Sequence, residues 1–569
     1  MMIAGLNMGQ TTDGRILKDG AACILKDGEI VVAIAEERLT RSKHSGGFSM
    51  ALQYCLSTLG ARVDDLDMVV VSNCAERPLR DGSDVGIPID PARIRAMPSH
   101  HLSHALAAFA TSPFEEALIV VLDNEGNVLE DTLDGTYWGS RVERNSYFLG
   151  RAGAVTALQD ADDGLDREEL GPGEAYRHFT YMLGWNSYVF AGNTMGLASY
   201  GQINPFGGVR IFDLKSGKIR CLLANGRKNP AKAVLDLGLS QGVLFGPPRT
   251  PQDFLTSRHA DIAALIQNEF ERALVYKVKH LQERTGITNL CIGGGVALNC
   301  VANRKILDMT GIEKIYICPA PGDSGQCVGN AIYGWTNLAG RSLHSKQLNP
   351  HLGKTYSESE IASVIDSYAD RLVCRRSQDT PSEAAALIAA GYVIGWFQGG
   401  SELGPRALGA RSILADARLP AMRDYLNLKV KQREAFRPYA PSVLLSHAQD
   451  YFDLPQPSPY MELTATVHNE VRKKISSVTH VDGSSRPQTV LDDSNDPFCL
   501  LLHSFNRLTG LPLILNTSFN LGGEPIVESP KDAIECLLKS NLDVLVIGDF
   551  FVTKKTFTTE PGFYAWACA

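Results

Sequence analysis

The chain has 569 residues, 44% of them hydrophobic and 21% charged, a soluble globular composition on a length too great for one core, so two or three domains are expected. Its 63 acidic and 55 basic side chains leave a formal charge of −8, which gives nucleic acid or an anionic membrane surface no general electrostatic hold. No apolar run has membrane-spanning length, no basic lead-in precedes the first one, and the twelve cysteines are scattered without a C-x-x-C. The expectation is a cytoplasmic protein with reduced thiols, no signal peptide, and neither nucleic acid nor membrane as partner.

In chain order, residues 2–6 read as a strand and 7–19 as a polar loop, and 20–25 and 29–35 as a hairpin around Lys26-Asp27-Gly28. A helix over 51–59 and a strand over 68–71 continue a mixed α/β sheet. The charged run 36–44 is either a solvated face or a cluster reaching back to the sheet edge. Ser99 is a natural N-cap for a helix on which His100 and His104, four apart, share one face. The apolar strand behind them ends at Asp123, and two imidazoles with a carboxylate suit a divalent transition metal. Such a histidine pair also occurs as plain core or surface, so it needs further ligands; His101 points elsewhere and reads as packing.

Residues 144–249 are less regular and rich in Gly and Asp, the texture of functional loops or lids, and 260–283 form a long amphipathic helix. A strand over 289–292 then enters Gly293-Gly294-Gly295, followed by a helix from about 298. Glycines there let backbone N–H groups approach phosphate or ribose, although tight helix-on-sheet packing asks for them too. The pattern repeats at once: strand 314–318, a loop carrying Asp323, a helix to about 337. A second carboxylate at a strand edge suits a metal–nucleotide cleft. Residues 343–357 are polar and aperiodic and read as the linker. Beyond helices at 358–368 and 380–390 and a strand at 392–398, Arg406, Lys431, Arg433, Arg437 and Arg486 stand among turns and short strands. Guanidinium forks suit phosphate and carboxylate oxygens, so an anion or nucleotide pocket is expected.

The motifs E-L-G-P-R-A-L-G-A-R-S-I, R-P-Y-A-P-S, S-S-R-P-Q-T-V, N-T-S-F-N with G-E-P-I-V, and the early A-E-E-R-L-T-R-x-K-H resemble the NodU/CmcH carbamoyltransferases over essentially the whole chain. The resemblance implies an α/β chain: a TsaD-like domain over 1–345, with the duplicated fold of actin, sugar kinases and heat-shock ATPases, a linker over 346–357, and an α+β YrdC-like domain over 358–569. It implies O-carbamoyl transfer in two stages. Carbamoyl phosphate loses phosphate, and the carbamate attacks the α-phosphate of ATP, with Mg²⁺, to give carbamoyladenylate and pyrophosphate. The carbamoyl group then passes to a hydroxyl of a small natural product such as an antibiotic precursor, beside a metal usually written as ferrous iron.

Residue by residue, the resemblance implies His100, His104, Asp123 and Asp323 as metal ligands, and Asn299 and Asn303 beside Gly294 as adenosine-side contacts. Arg406, Lys431, Arg437, Arg486, Asn516 and Ser518 match the second domain's anion and nucleotide pocket, with Arg437 and Arg486 on the carbamoyl phosphate oxygens. Lys43 and His44 match a basic pair near the hairpin. Two positions depart from the pattern. Lys18-Asp19 stands where an antibiotic-pathway member has His-Asp, so the base on the acceptor hydroxyl falls to a desolvated Lys18, to Asp19, or to His44 or His101. Asn193 stands where the family often has Lys. A homodimer is among the expectations. A threonylcarbamoyl-type tRNA-modifying enzyme with the same two domains, and a nucleotide sensor or kinase-like member of the actin class, are the competing readings. The acidic charge disfavours the first, and the complete second domain the other.

Overall fold

A computed structural model describes residues 1–9, 17–73, 86–133, 136–160, 165–166, 169–226, 228–342, 346–557 and 560–567. The middle of the polar loop 7–19 and the first residues of the 343–357 linker lie outside that set. The chain forms two compact units, Met1–Glu36 with Ser45–Leu348 and Glu37–His44 with Asn349–Ala569. The charged run after the hairpin therefore groups with the C-terminal half.

The first unit is built twice on one plan. One five-stranded sheet runs, in spatial order, Glu29–Ala35, Ala21–Lys26, Met2–Asn7, Met68–Ser72, Ile94–Ala96. The other runs Ala154–Ala157, Asn145–Arg151, Glu116–Leu122, Asn289–Gly293, Lys314–Ile317. In each, the first strand in sequence lies central, pairs antiparallel with the meander that follows it, and pairs on its other side with a parallel strand, itself parallel to the fifth. This is the duplicated α/β arrangement of the actin, sugar-kinase and heat-shock-ATPase class.

The central strands are apolar on both faces, as strands covered on both sides must be: Ile3, Ala4, Leu6, Leu118, Ile119 and Val121 are all fully buried. The helices His100–Ala110 and Gln326–Tyr333 pack against each other beside them. A Cβ on Gly329 would stand 2.0 Å from the carbonyl oxygen of Ser103, so only glycine allows this approach.

The second unit is α+β. Its mixed eight-stranded sheet runs Leu372–Arg376, Phe550–Lys554, Val544–Ile547, Ile394–Phe397, Arg411–Ala415, Leu513–Ser518, Ala440–Leu444, Gln488–Val490. The helices Thr380–Ala389 and Pro497–Thr509 pack together, and Phe498, Leu501, Leu502 and Phe505 of the latter are buried. Among the described residues no helix is long and apolar enough to cross a membrane.

Candidate metal centre and anion pocket

In the first unit Ser99 caps the helix His100–Ala110, its Oγ accepting the Leu102 N–H at 2.9 Å. His100 thus falls in the first turn and His104 one turn on, their Nε2 atoms 3.3 Å apart. Asp123 follows the last residue of Glu116–Leu122, and Asp323 opens the short helical turn after Lys314–Ile317. Corresponding ends of two parallel strands that flank Asn289–Gly293 thereby bring both carboxylates to one place. From His100 Nε2, Asp123 Oδ2 and Asp323 Oδ1 each lie at 3.3 Å; from His104 Nε2 each lies at 3.4 Å.

Four donors each about 2.1 Å from a common ion stand about 3.4 Å apart at the corners of a tetrahedron, so the set fits a divalent transition metal. Burial opposes protonation of His100 and His104, but the two carboxylates outweigh it and raise both imidazoles above their usual range. Burial likewise opposes ionisation of Asp123 and Asp323; for Asp323 the charge of Asp123 opposes it too, yet the imidazoles hold both acids below the carboxylate range.

The surroundings fix these ligands. His100 Nδ1 lies 3.3 Å from the carbonyl oxygen of Asn73, which orients the ring with Nε2 toward the cluster. Asp123 Oδ1 accepts N–H groups of Asn124 at 2.8 Å and Gly295 at 3.3 Å, so the glycine loop supports a ligand carboxylate. Gly294 makes that possible: its φ is +85°, and a Cβ there would meet the Leu122 carbonyl oxygen at 2.1 Å.

Gln326 is a neighbour that no sequence spacing announced. Its amide N–H groups lie 2.6 Å from His100 Nε2 and 3.0 Å from His104 Nε2, and its Oε1 accepts from Ser72 Oγ at 2.8 Å. His101 turns away to Ser146 Oγ, 2.8 Å off, and burial drives its pKa well below the usual value. Asn299 caps the helix Cys300–Met309 and exchanges amide hydrogen bonds with Gln267 at 3.0 and 3.1 Å; Asn303 donates to the Ala297 carbonyl at 2.9 Å. Both asparagines thus shape the turn after the glycine loop.

Lys18 and Asp19 belong to the same unit. Asn7 Nδ2 donates to the carbonyl oxygens of Asp19 and Asp323, 3.0 Å each, tying the two segments side by side. Lys18 Nζ donates to Ser187 Oγ at 3.2 Å, and burial, opposed by Asp19 and aided by Arg177, lowers its pKa. Asn193 is buried in the helix Ala191–Ala198.

The second constellation lies wholly in the second unit. Glu402 builds the E-L-G-P-R-A-L-G loop from within: one carboxylate oxygen accepts the N–H groups of Leu408, Ala410 and Arg411 at 2.7, 2.8 and 3.2 Å. Arg411 is core, donating to the Gln398 and Gly399 carbonyls and lying 3.5 Å from the centre of the Phe397 ring. Asn427 holds the next turn, accepting from Arg433 Nε and Tyr439 Oη at 2.8 Å and donating to the Arg437 carbonyl at 3.0 Å.

Burial, then Arg433, lower the Arg437 pKa to about 10, with Arg486 adding to the effect. Lys431 is fully buried, and its ammonium is enclosed by Ser518 O and Oγ and Asn520 O and Oδ1, so it braces the N-T-S-F-N turn. Asn516 Nδ2 meets Ala407 O, Ser442 Oγ and Gln488 Oε1 within 3.1 Å and knits four motifs together. Lys43 and His44 fall in this unit. Glu462 is a further acid here that the sequence did not signal; burial pushes it up to about 8 against the opposing Arg406 charge.

Comparison with known proteins shows the family. The carbamoyltransferase N-terminus profile matches residues 14–79 and 90–332, and the carbamoyltransferase C-terminus profile matches 385–554. An uncharacterized protein of Synechocystis is 33% identical over 95% of this chain and 96% of its own. Nodulation protein NolNO of Sinorhizobium fredii is 34% identical over 96% of this chain and 80% of its own. Among solved structures, full-length HypF in its phosphate- and nucleotide-bound form overlaps 60% of this chain and 56% of its own, at 14% identity and a TM-score of 0.34. That overlap is too slight to bear on the fold, which the strand order decides.

Proposed function

Because the chain belongs to the carbamoyltransferase family and is a carbamoyltransferase, we propose that it works in two stages, one in each unit. In the second unit carbamoyl phosphate and water give phosphate and carbamate. A carbamate oxygen then attacks the α-phosphorus of Mg²⁺-bound ATP, and pyrophosphate leaves. In the first unit the acceptor hydroxyl oxygen attacks the carbamoyl carbon of the adenylate, the bond to the phosphate oxygen breaks, and AMP departs. The acceptor is a hydroxylated small natural product of the antibiotic type.

The observation that carries the reading is the group of like charges on Arg406, Arg433, Arg437 and Arg486. Arg433 and Arg486 both depress Arg437, a mutual cost that a phosphate-bearing ligand relieves. Bidentate donation from Arg437 and Arg486 suits a phosphate whose charge grows as it leaves. In the first unit His100, His104, Asp123 and Asp323 would hold a divalent metal, ferrous iron in this reading, which would supply Lewis acidity. The acceptor proton goes to the Lys18–Asp19 segment. A lysine that is half-buried beside Arg177 is more often neutral than a free one, and Asp19 is its neighbouring acid.

The test needs no acceptor. Purified protein with carbamoyl phosphate, ATP and Mg²⁺ should release pyrophosphate and form carbamoyladenylate, read by mass spectrometry. Arg437→Ala should reduce that release by at least about 100-fold, since a charge-assisted contact to a phosphate is lost. Wild-type rates in Arg437→Ala would sink the pocket, and no pyrophosphate from the native protein would sink the two-stage reading.

A further inference from the structure

Arg177 lies on the helix Pro172–Met182, whose first turn abuts the end of the strand that leads to Asp123. A Cβ on Gly173 would stand 2.8 Å from the Asp123 carbonyl oxygen. Arg177 is four residues on, on the same face, and side chains on a helix lean toward its N-terminus, so the guanidinium is carried back toward that end. Tyr176, about a hundred degrees round the helix, leaves on another side and donates to Gln267 Oε1 at 2.7 Å, the group that also accepts from Asn299. The helix thus turns Tyr176 to the asparagine side of the unit and Arg177 to the side of Lys18.

The surroundings of Arg177 do not satisfy it. Its side chain is only 17% exposed, and Nε is buried with no hydrogen-bond partner among the described residues. The carboxylate oxygen it approaches, Glu174 Oε1, stands 3.6 Å from Nη2, beyond hydrogen-bond reach. Glu174 is already engaged: Arg144, fully buried, binds it through Nε, and its Oε2 accepts the Gly171 N–H at 3.3 Å. The charge that Arg177 meets on its other side is of its own sign. Burial lowers the Lys18 pKa, Asp19 opposes this, and Arg177 lowers it further. His178 adds no charge, since burial takes its imidazole down to about 4. Two partly buried cations side by side repel each other, and an oxyanion held by the guanidinium fork relieves that cost.

We propose that Arg177 binds a carboxylate of the acceptor, so that the acceptor class is a hydroxylated acid and not a polycation. The carboxylate lies on the side of Lys18, within the segment that takes the hydroxyl proton. The same fork would suit the phosphate of the adenylate, and the experiment separates the two sources.

The inference rests on the two-stage reading for its acceptor but is tested by binding, which needs no turnover. On the full-length protein, Arg177→Met keeps an aliphatic stem and removes the fork, and Arg177→Lys keeps the charge. Calorimetry compares glucuronate with glucose, shikimate with its methyl ester, and AMP with adenosine. The native protein should bind each acid at least about tenfold more tightly than its uncharged counterpart. Arg177→Met should weaken the acids at least about tenfold and leave glucose and the ester unchanged, and Arg177→Lys should recover part of the loss. Carbamoyl transfer to the same pairs should show the difference in KM, with kcat changing less.

Acids bound no better than their uncharged counterparts, or bound equally well by Arg177→Met, overturn the proposal. A loss confined to AMP against adenosine also overturns it, by giving Arg177 to the adenylate phosphate. A native protein that binds the acids through Arg177 yet forms no carbamoyladenylate overturns the two-stage reading and leaves this assignment standing. Glu174 keeps Arg144 as its partner in both variants, so the fold survives, which near-ultraviolet dichroism checks.

Discussion

Glu462 follows Met461, which is held in left-handed backbone at φ +62°, and its carboxyl is raised to about 8 by burial. In an unfolded chain the same carboxyl ionises in the ordinary range. Between those values the folded protein holds a proton that the unfolded chain has released, so stability is full at low pH and falls as pH rises from about 4.5 toward 8. Glu462→Gln removes the titration. The native protein should lose up to about 1.4 kcal/mol of stability per pH unit relative to Glu462→Gln between pH 5 and 8. Urea unfolding of both proteins at several pH values measures the difference, and parallel curves would show that Glu462 ionises normally. Single residues differ in how far their chemistry could be read beforehand. His100 and His104 declare themselves by spacing on a capped helix, and Asp123 and Asp323 by position at strand ends. Gln326 and Glu462 carry no such mark, because helix packing brings one to its place and burial perturbs the other.

Among the elements, the loop 402–411 shows what a recognisable motif does physically. Its resemblance to a family was plain from the letters, yet the letters do not say which residues face a ligand. The structure divides them: Glu402 and Arg411 build the loop from within, and the proposed pocket role falls to Arg406. Glu402 is completely enclosed, and although burial favours its protonation, the nearby His351 and the N–H groups it accepts keep its carboxyl below the usual range. Glu402→Ala strips the acceptor from three buried N–H groups. The loss should destabilise the second unit by about 3 kcal/mol or more, on the cost of unsatisfied buried donors. It should also raise KM for carbamoyl phosphate through disorder at Arg406. Guanidinium unfolding followed by near-ultraviolet dichroism, with pyrophosphate kinetics alongside, reads both effects. Stability within 1 kcal/mol of native would mean that water replaces the carboxylate. Secondary structure itself was legible to within a few residues where periodicity was strong, as in the helix Ser257–Thr285, because one apolar stripe suffices to define it.

At the scale of the molecule, the strand–loop–helix repeats around Gly294 and Asp323 were visible in the residues themselves, whereas the duplication of the whole first unit was expected from the family resemblance alone. Its two sheets share strand order and direction while sharing no obvious residues, since topology constrains burial pattern more than identity. Nor did the sequence show that residues 37–44 leave the hairpin to group with the second unit. That division gives the two stages separate residues, so they should separate experimentally. His100→Ala removes one of the four proposed metal donors, a larger loss than removing a supporting hydrogen bond, which alone costs roughly 10–100-fold in affinity. Its metal content by plasma emission should therefore fall at least about tenfold on purification. Transfer to any hydroxylated acceptor that the native protein carbamoylates should vanish with the metal. Carbamoyl phosphate-dependent pyrophosphate release should persist near the native rate, because Arg406, Arg437 and Arg486 are untouched in the other unit. Chelator treatment of the native protein should reproduce the first two losses, assayed for pyrophosphate after Mg²⁺ is restored. If His100→Ala also stopped adenylate formation, the stages would share residues that this division assigns to one unit alone, and a single concerted site would have to replace them.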